Sequence, residues 1–415
     1  MNEHRRSIAR DFGLNILASA LLTGVTQLLV YPGLSRMIEP SEYGSLLTAM
    51  AIVNVIGSSL GGSLNNTRIL MQSDYDRQGA IGDYNMIFVM LAMVTVPLAA
   101  AILSLTGLAR GVNLAGAVIV ALLVLWRAYY SASYRIRIDY RKNLVSSAVG
   151  VAGYLLGMML ARGTGYWSLA FVAGEFFACL YIAFTGHIVR EGIRRTGLLV
   201  PTLRKYGLLF AGTALGALNL YLDRLLVYPM LGASEVTTYV VASFLGKSAG
   251  LLMGPVAGVL LTYYAKATTF SRARFLRQLG FMAFSSAAGY LLILLLGKPV
   301  TAMLYPTIAE SAMPYFAVAN LASIVFVAGN MIHPSVLRFC DARWQPALQG
   351  GYLLTYIGVG ALGAHFAGLW GLCWAVLGVN VIRCGVMIAL VLGKRDATSD
   401  ARYQQGEGPE VSGMV

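Results

Sequence analysis

Charged side chains are scarce in this sequence, at 12% of 415 residues, against about 25% in an average soluble domain. That scarcity excludes a soluble fold. A chain with 57% hydrophobic residues cannot hide that much apolar surface and still present a wettable exterior. Cysteine is sparse too. Cys179, Cys340, Cys373 and Cys384 lie scattered in or beside apolar stretches with no C-x-x-C pair, so neither a disulfide framework nor a zinc site is expected. His4, His187, His333 and His365 show no paired helical spacing, and no metal is assigned. P-loop and H-E-x-x-H patterns are missing, and no catalytic constellation or cofactor is argued for. Extended polar sequence is confined to 394–415, which reads as a disordered cytoplasmic tail.

What is present is apolar sequence in helix-length blocks. About 20 helical residues cross the roughly 30 Å hydrocarbon core, and the ten-residue alternation of a membrane barrel is not seen. Twelve blocks stand out, at 12–32, 42–64, 84–107, 113–133, 144–161, 166–186, 206–230, 235–262, 278–297, 312–333, 347–365 and 368–392. The first is too long for a signal-peptide core and lacks a small-residue cleavage site, so it is expected to stay as a membrane helix.

Orientation follows from the cations, because lysine and arginine are retained on the cytoplasmic side. With the N-terminus inside, 23 of the 31 Lys and Arg residues fall on cytoplasmic segments. Only Arg36, Arg110, Arg162 and Lys298 fall on outer loops. One missed helix would invert everything after it, so the alternation supports twelve transmembrane helices with both termini cytoplasmic. The net charge of +13 is then a basic rim facing anionic membrane lipid, with no nucleic acid required. The expected protein is a multi-pass protein of the bacterial inner membrane.

The string Leu28-Leu29-Val30-Tyr31-Pro32 recurs as Leu225-Leu226-Val227-Tyr228-Pro229. Each copy closes a helix opened by an aromatic–glycine pair, Phe12-Gly13 or Tyr206-Gly207. Each precedes a short loop and a long helix opened near Glu42-Tyr43-Gly44 or Glu235 to Tyr239. The repeat predicts two pseudo-symmetric six-helix bundles, 1–195 and 196–393, related by an axis along the membrane normal, with a substrate site between them.

The same residues carry a family resemblance. Asp223-Arg224, then Gly232, Glu235-Val236, Tyr239 and Ala242, resembles the seventh-to-eighth helix signature of oligosaccharide flippases of the multidrug/oligosaccharidyl-lipid/polysaccharide exporter superfamily. Pro40-Ser41-Glu42-Tyr43-Gly44 is similar to that family's motif between its first two helices. A departure is Thr238, where many members carry glycine. The resemblance implies a transporter that is not an enzyme. Such a flippase moves an oligosaccharide linked to undecaprenyl pyrophosphate across the inner membrane for capsule, O-antigen or exopolysaccharide synthesis. Its partners would be polysaccharide polymerase and glycosyltransferases. A drug/cation antiporter of the same superfamily is the alternative. A membrane-embedded glycosyltransferase or polymerase is a third reading, which the short outer loops disfavour.

Ionisable groups in hydrocarbon cost on the order of 2.5–3.5 kcal/mol by insertion scales, so each needs a reason. The spans hold the cations Arg127, Arg224, Lys247 and Arg383 and the acids Glu175 and Asp223. The cationic excess suits a pyrophosphate, and the four cations are the candidate substrate-binding residues. Lys247, deep in the eighth helix, is the sharpest. Arg127 could instead snorkel to the cytoplasmic surface, and Arg224 could snorkel outward or serve a fold-specifying pair. Glu175 and Asp223 are candidates for coupling transport to an ion gradient, or for structural pairing. Asn15, Thr23, Gln27, Asn54 and Asn219 could line a cavity or bond between helices. Glycines at 246, 250, 254 and 258, with Pro255 among them, predict either tight packing or a bend. Gly57 and Gly61 form a weaker echo.

Overall fold

The computed structural model describes residues 2–81, 83–250, 270–341 and 343–393. The tail from 394 and the second half of the eighth block, with Gly254, Pro255 and Gly258, lie outside the described residues. Among the described residues every regular element is helical. Nine helices among the described residues have the length and apolar composition to cross a membrane. Their large apolar side chains stand exposed, Phe284 at 74% and Leu295 at 68%, for example. Hydrocarbon is the solvent such surfaces require, and the chain is a multi-pass membrane protein.

We number the long helices α1 Asn2–Val25, α2 Pro40–Gln78, α3 Asp83–Leu105, α4 Gly111–Tyr130, α5 Tyr140–Thr164 and α6 Ser168–Thr185. The remainder are α7 Leu199–Leu231, α8 Ala233–Ala242, α9 Arg272–Leu304, α10 Phe316–Phe339 and α11 Trp344–Leu392. Ala367 (φ −138°, ψ 23°) and Gly368 (φ 56°, ψ −141°) break α11 where the sequence separates its last two blocks. Between α1 and the short helix Tyr31–Ser35 the backbone widens into a π turn, Thr26–Val30. Pro32 there has no N–H to give Leu28, which removes one bond of the ordinary ladder.

The most visible departure from the sequence is α2. It runs 39 residues, about 58 Å at 1.5 Å per residue, well past the expected 42–64. Pro40 fits its first turn, and Gly79 ends it in the left-handed conformation at φ 58°. Arg68, one of the cations assigned by sequence to cytoplasmic segments, therefore lies on helix, not on a loop. α7 is also long enough to span, but Asn219, Asp223 and Arg224 make its second half more polar.

Contacts divide the chain into two compact units. One comprises Met1–Val241, Val300–Pro314 and Ala364–Leu369; the other comprises Ala242–Pro299, Tyr315–Gly363 and Trp370–Val415. In the first, α5 and α6 form a closely packed hairpin, and α2 packs along both α4 and α7. α7, assigned by sequence to the half 196–393, thus packs with α2 in the first unit. Gly57 and Gly61 explain how near α4 comes, since a Cβ at either would press on the α4 carbonyls of Ala121 or Leu125. In the second unit Phe275, Met282, Met331, Val336, Met387 and Val391 form a buried core.

Candidate functional site

The family-like motifs meet at one seam in the first unit. Gly44 abuts the backbone carbonyl of Ala233, where any Cβ would collide, and Thr237 Oγ1 donates to the Pro40 carbonyl at 2.5 Å. The bond across the seam thus comes from Thr237, while the departing Thr238 donates within its own helix to the Ser234 carbonyl at 3.2 Å. Beneath it lies Arg224, 8% exposed, with its guanidinium 5.7 Å from the Tyr221 ring centre. Tyr31, Tyr43 and Tyr305 face the same charge, and Asp223 is the carboxylate acting on it most strongly. Tyr43 and Tyr305 are themselves tilted ring to ring at 6.5 Å. Arg224 therefore does not snorkel. It is buried beside the Tyr221 ring, with Tyr31, Tyr43 and Tyr305 near enough to act on its charge, and such a setting stabilises a cation away from water.

Arg127 does not snorkel either. Its Nε lies 2.5 Å from Glu175 Oε2 and its Nη2 donates to Oε1 at 3.0 Å, a two-pronged pair between α4 and α6. Tyr154 of α5 donates its hydroxyl to the same carboxylate at 2.8 Å. Glu175 is only 3% exposed, so this triad binds three helices where water is excluded. Asn54, offered as a cavity residue, donates to its own helix at the Met50 carbonyl, 2.7 Å away. The side chain of Asn15 lies outside the described residues.

In the second unit the environment of Lys247 is set by a helix break. α8 ends at Ala242, Ser243 turns, and residues 244–250 are helical again. Asn320 of α10 is inserted into the gap. Its amide donates to the Ala242 carbonyl at 2.7 Å and accepts from the Gly246 N–H at 2.7 Å, replacing the bond those two groups would make in a straight helix. Lys247 follows directly, half-buried, with its charge acting on Cys373. Gly246 and Gly250 lie tight against Ser323 and Val327, so the described part of the glycine stripe is close packing. Replacing Asn320 with leucine is expected to cost about 1–3 kcal/mol from unsatisfied backbone groups. Faster amide exchange at Gly246 would report the loss of its acceptor.

Arg383 occupies a third kind of site. The Phe326 and Tyr352 rings stand side by side against it, their centres 5.0 and 4.9 Å from its Cζ and 6.0 Å from each other, and its Nη2 donates to Asn330 at 2.9 Å.

One cluster escaped the sequence reading. Arg68, counted there as a cytoplasmic loop charge, is buried near the C-terminal end of α2. It pairs with Glu191 at 2.5 Å, donates to the Tyr129 hydroxyl at 3.1 Å and stacks on Tyr84. Tyr129 in turn donates to Asn85, whose amide donates to the Glu191 carbonyl, closing a ring of bonds. Nearby, Tyr75 meets both Asp83 and Thr202, and Asp83 accepts from the Thr196 backbone. Burial together with the charges of Arg137 and Arg68 holds the His187 imidazole below its ordinary pKa, leaving it neutral beside Ser133.

No protein-family model and no curated sequence matches this chain, but solved structures do. An inward-facing multidrug resistance MATE family transporter of the MOP superfamily superposes with a TM-score of 0.69 at 12% identity, covering 96% of both chains. The lipid II flippase MurJ, in an inward closed conformation, gives 0.68 at 11% identity, covering 99% of this chain and 94% of that one. The Vibrio cholerae MATE transporter VcmN in its bent form gives 0.54 at 14% identity, covering 94% and 98%. The fold is therefore that of the MATE and MurJ transporters, over essentially the whole chain.

Proposed function

We propose that the chain is a flippase carrying a lipid-linked oligosaccharide, on a polyprenyl pyrophosphate such as undecaprenyl pyrophosphate, across the bacterial inner membrane by alternating access. The product would feed capsule, O-antigen or exopolysaccharide assembly by a polymerase and glycosyltransferases. The observation that carries this reading is the state of the membrane-embedded acids. Glu175 is committed to Arg127 and Tyr154, and Asp223 is the carboxylate whose charge acts most strongly on Arg224. A drug/cation antiporter needs a carboxylate available to its cargo, and both acids here are already set against arginine. The excess of cations suits an anionic headgroup instead.

Lys247 is the proposed headgroup contact, because broken helices whose backbone is satisfied from elsewhere are where membrane transporters build substrate sites. Arg224 and Arg127 hold the first unit together, and Glu175 and Asp223 remain the proposed groups through which an ion gradient would act, each having first to exchange its arginine for the coupling ion. In proteoliposomes, Lys247→Gln is expected to reduce flipping of a fluorescent polyprenyl-diphosphate oligosaccharide at least tenfold while leaving protein level and unfolding temperature unchanged. Wild-type flipping by that variant, or transport of cationic drugs by the native protein without lipid flipping, would overturn the reading.

A further inference from the structure

Arg383 is 9% exposed, yet its Nη1 has no hydrogen-bond partner. Among the described residues, the groups whose charge acts on it are Tyr352 and Cys384, not a carboxylate. His333, another nearby ring, presents an Nε2 that is also unpartnered. A buried guanidinium with an unmet N–H and no counter-charge is an expensive arrangement, stabilised when an anion completes it.

The space for that anion is present. Arg383 lines a cavity of about 230 Å³ within the second unit, between the two arms of α11. Its other walls are apolar or small, among them Leu348, Gly351, Thr355 and Val379. At its mouth stand Trp344, Ile382 and Val386, exposed by 42%, 58% and 41%. An apolar rim repels a hydrated inorganic anion. It suits an amphiphile whose chains stay in hydrocarbon while its headgroup reaches inward, with a tryptophan at the interface. Arg383 lies nine residues before Leu392, the end of α11, or about 14 Å along the helix. That depth is within reach of a headgroup drawn in from the leaflet on the Trp344 side.

We infer that this cavity binds an anionic phospholipid of the surrounding membrane, its phosphate drawn to the uncompensated Arg383 guanidinium and an acyl chain along Leu348 and Val386. The site is independent of the cargo reading above and would hold a resident lipid whichever substrate is carried.

The test is thermal unfolding of the full-length protein in neutral detergent, titrated with phosphatidylglycerol, phosphatidylcholine of the same chains, inorganic phosphate or undecaprenyl phosphate. Phosphatidylglycerol alone is expected to raise the unfolding temperature, with apparent affinity at least tenfold weaker in Arg383→Gln and partly kept in Arg383→Lys. Gly351→Leu covers the case in which Arg383→Gln does not fold. A Cβ at Gly351 meets open space, so the larger side chain fills the cavity without touching the Phe326, Tyr352 and Asn330 contacts of Arg383. It is expected to abolish the phosphatidylglycerol response. An equal response to phosphatidylcholine, a response only to phosphate or undecaprenyl phosphate, an undiminished response in Gly351→Leu, or no response at all would overturn the inference.

Discussion

Changing Arg127 to methionine is expected to destabilise the protein by about 3–5 kcal/mol, the cost of stranding a buried carboxylate without its partner. Glu175 would keep the Tyr154 hydroxyl, but a single neutral donor does not balance a charge in a water-excluded site. The double variant Arg127→Met with Glu175→Leu should recover most of that loss, because removing both members also removes the desolvation cost of both. Unfolding temperatures of the two single variants, the double variant and the native protein in one detergent would measure the coupling. The double variant also separates two roles for Glu175. If stability returns and transport returns with it, the pair is structural. If stability returns and ion-driven transport does not, the pair serves transport as well as folding.

The second large effect is expected at Gly44. Valine there would place its Cβ on the Ala233 carbonyl, a rigid backbone atom that no side-chain rotation can clear. Overpacking of this kind costs about 1–3 kcal/mol and sometimes more. Here it would also break the Thr237–Pro40 bond and loosen the tyrosines near Arg224. The expected result is a marked fall in membrane-inserted folded protein, seen as loss of the monodisperse peak in detergent chromatography. A control at Gly62, where a Cβ meets nothing, should be tolerated. Equal tolerance at both positions would remove the seam from the account of folding.

The helices were legible because hydrocarbon imposes its own length on apolar runs, and α3, α5 and α6 fall within a few residues of their blocks. α2 was misjudged for the same reason. Its polar final turns carry no apolar signal, and protein packing, not lipid, sustains them. The ionisable residues stood out in the sequence as needing partners, but sequence could not choose the partners. Arg127 and Glu175 are 48 residues apart, and Tyr154, which completes the triad, looks like any other membrane tyrosine. Asn320 was missed although a lone amide in an apolar run is itself a signal. Its meaning depends on a break in another helix. The repeat was legible as a pair of strings, but the approach of Gly44 to Ala233, which follows the second string, was not.

The length of α2 has a mechanical side. Its first turn carries Gly44 and the seam, and its last turns carry Arg68 and Tyr75 with the ring of bonds around Glu191 and Asp83. One uninterrupted hydrogen-bonded rod joins them. A stiff beam cannot tilt at one end alone, so a displacement imposed on the seam arrives at the far knot as a lever's swing, scaled by the distance of each from the pivot. Gly57 and Gly61, where α4 presses closest, are placed between the two ends, as a fulcrum would be.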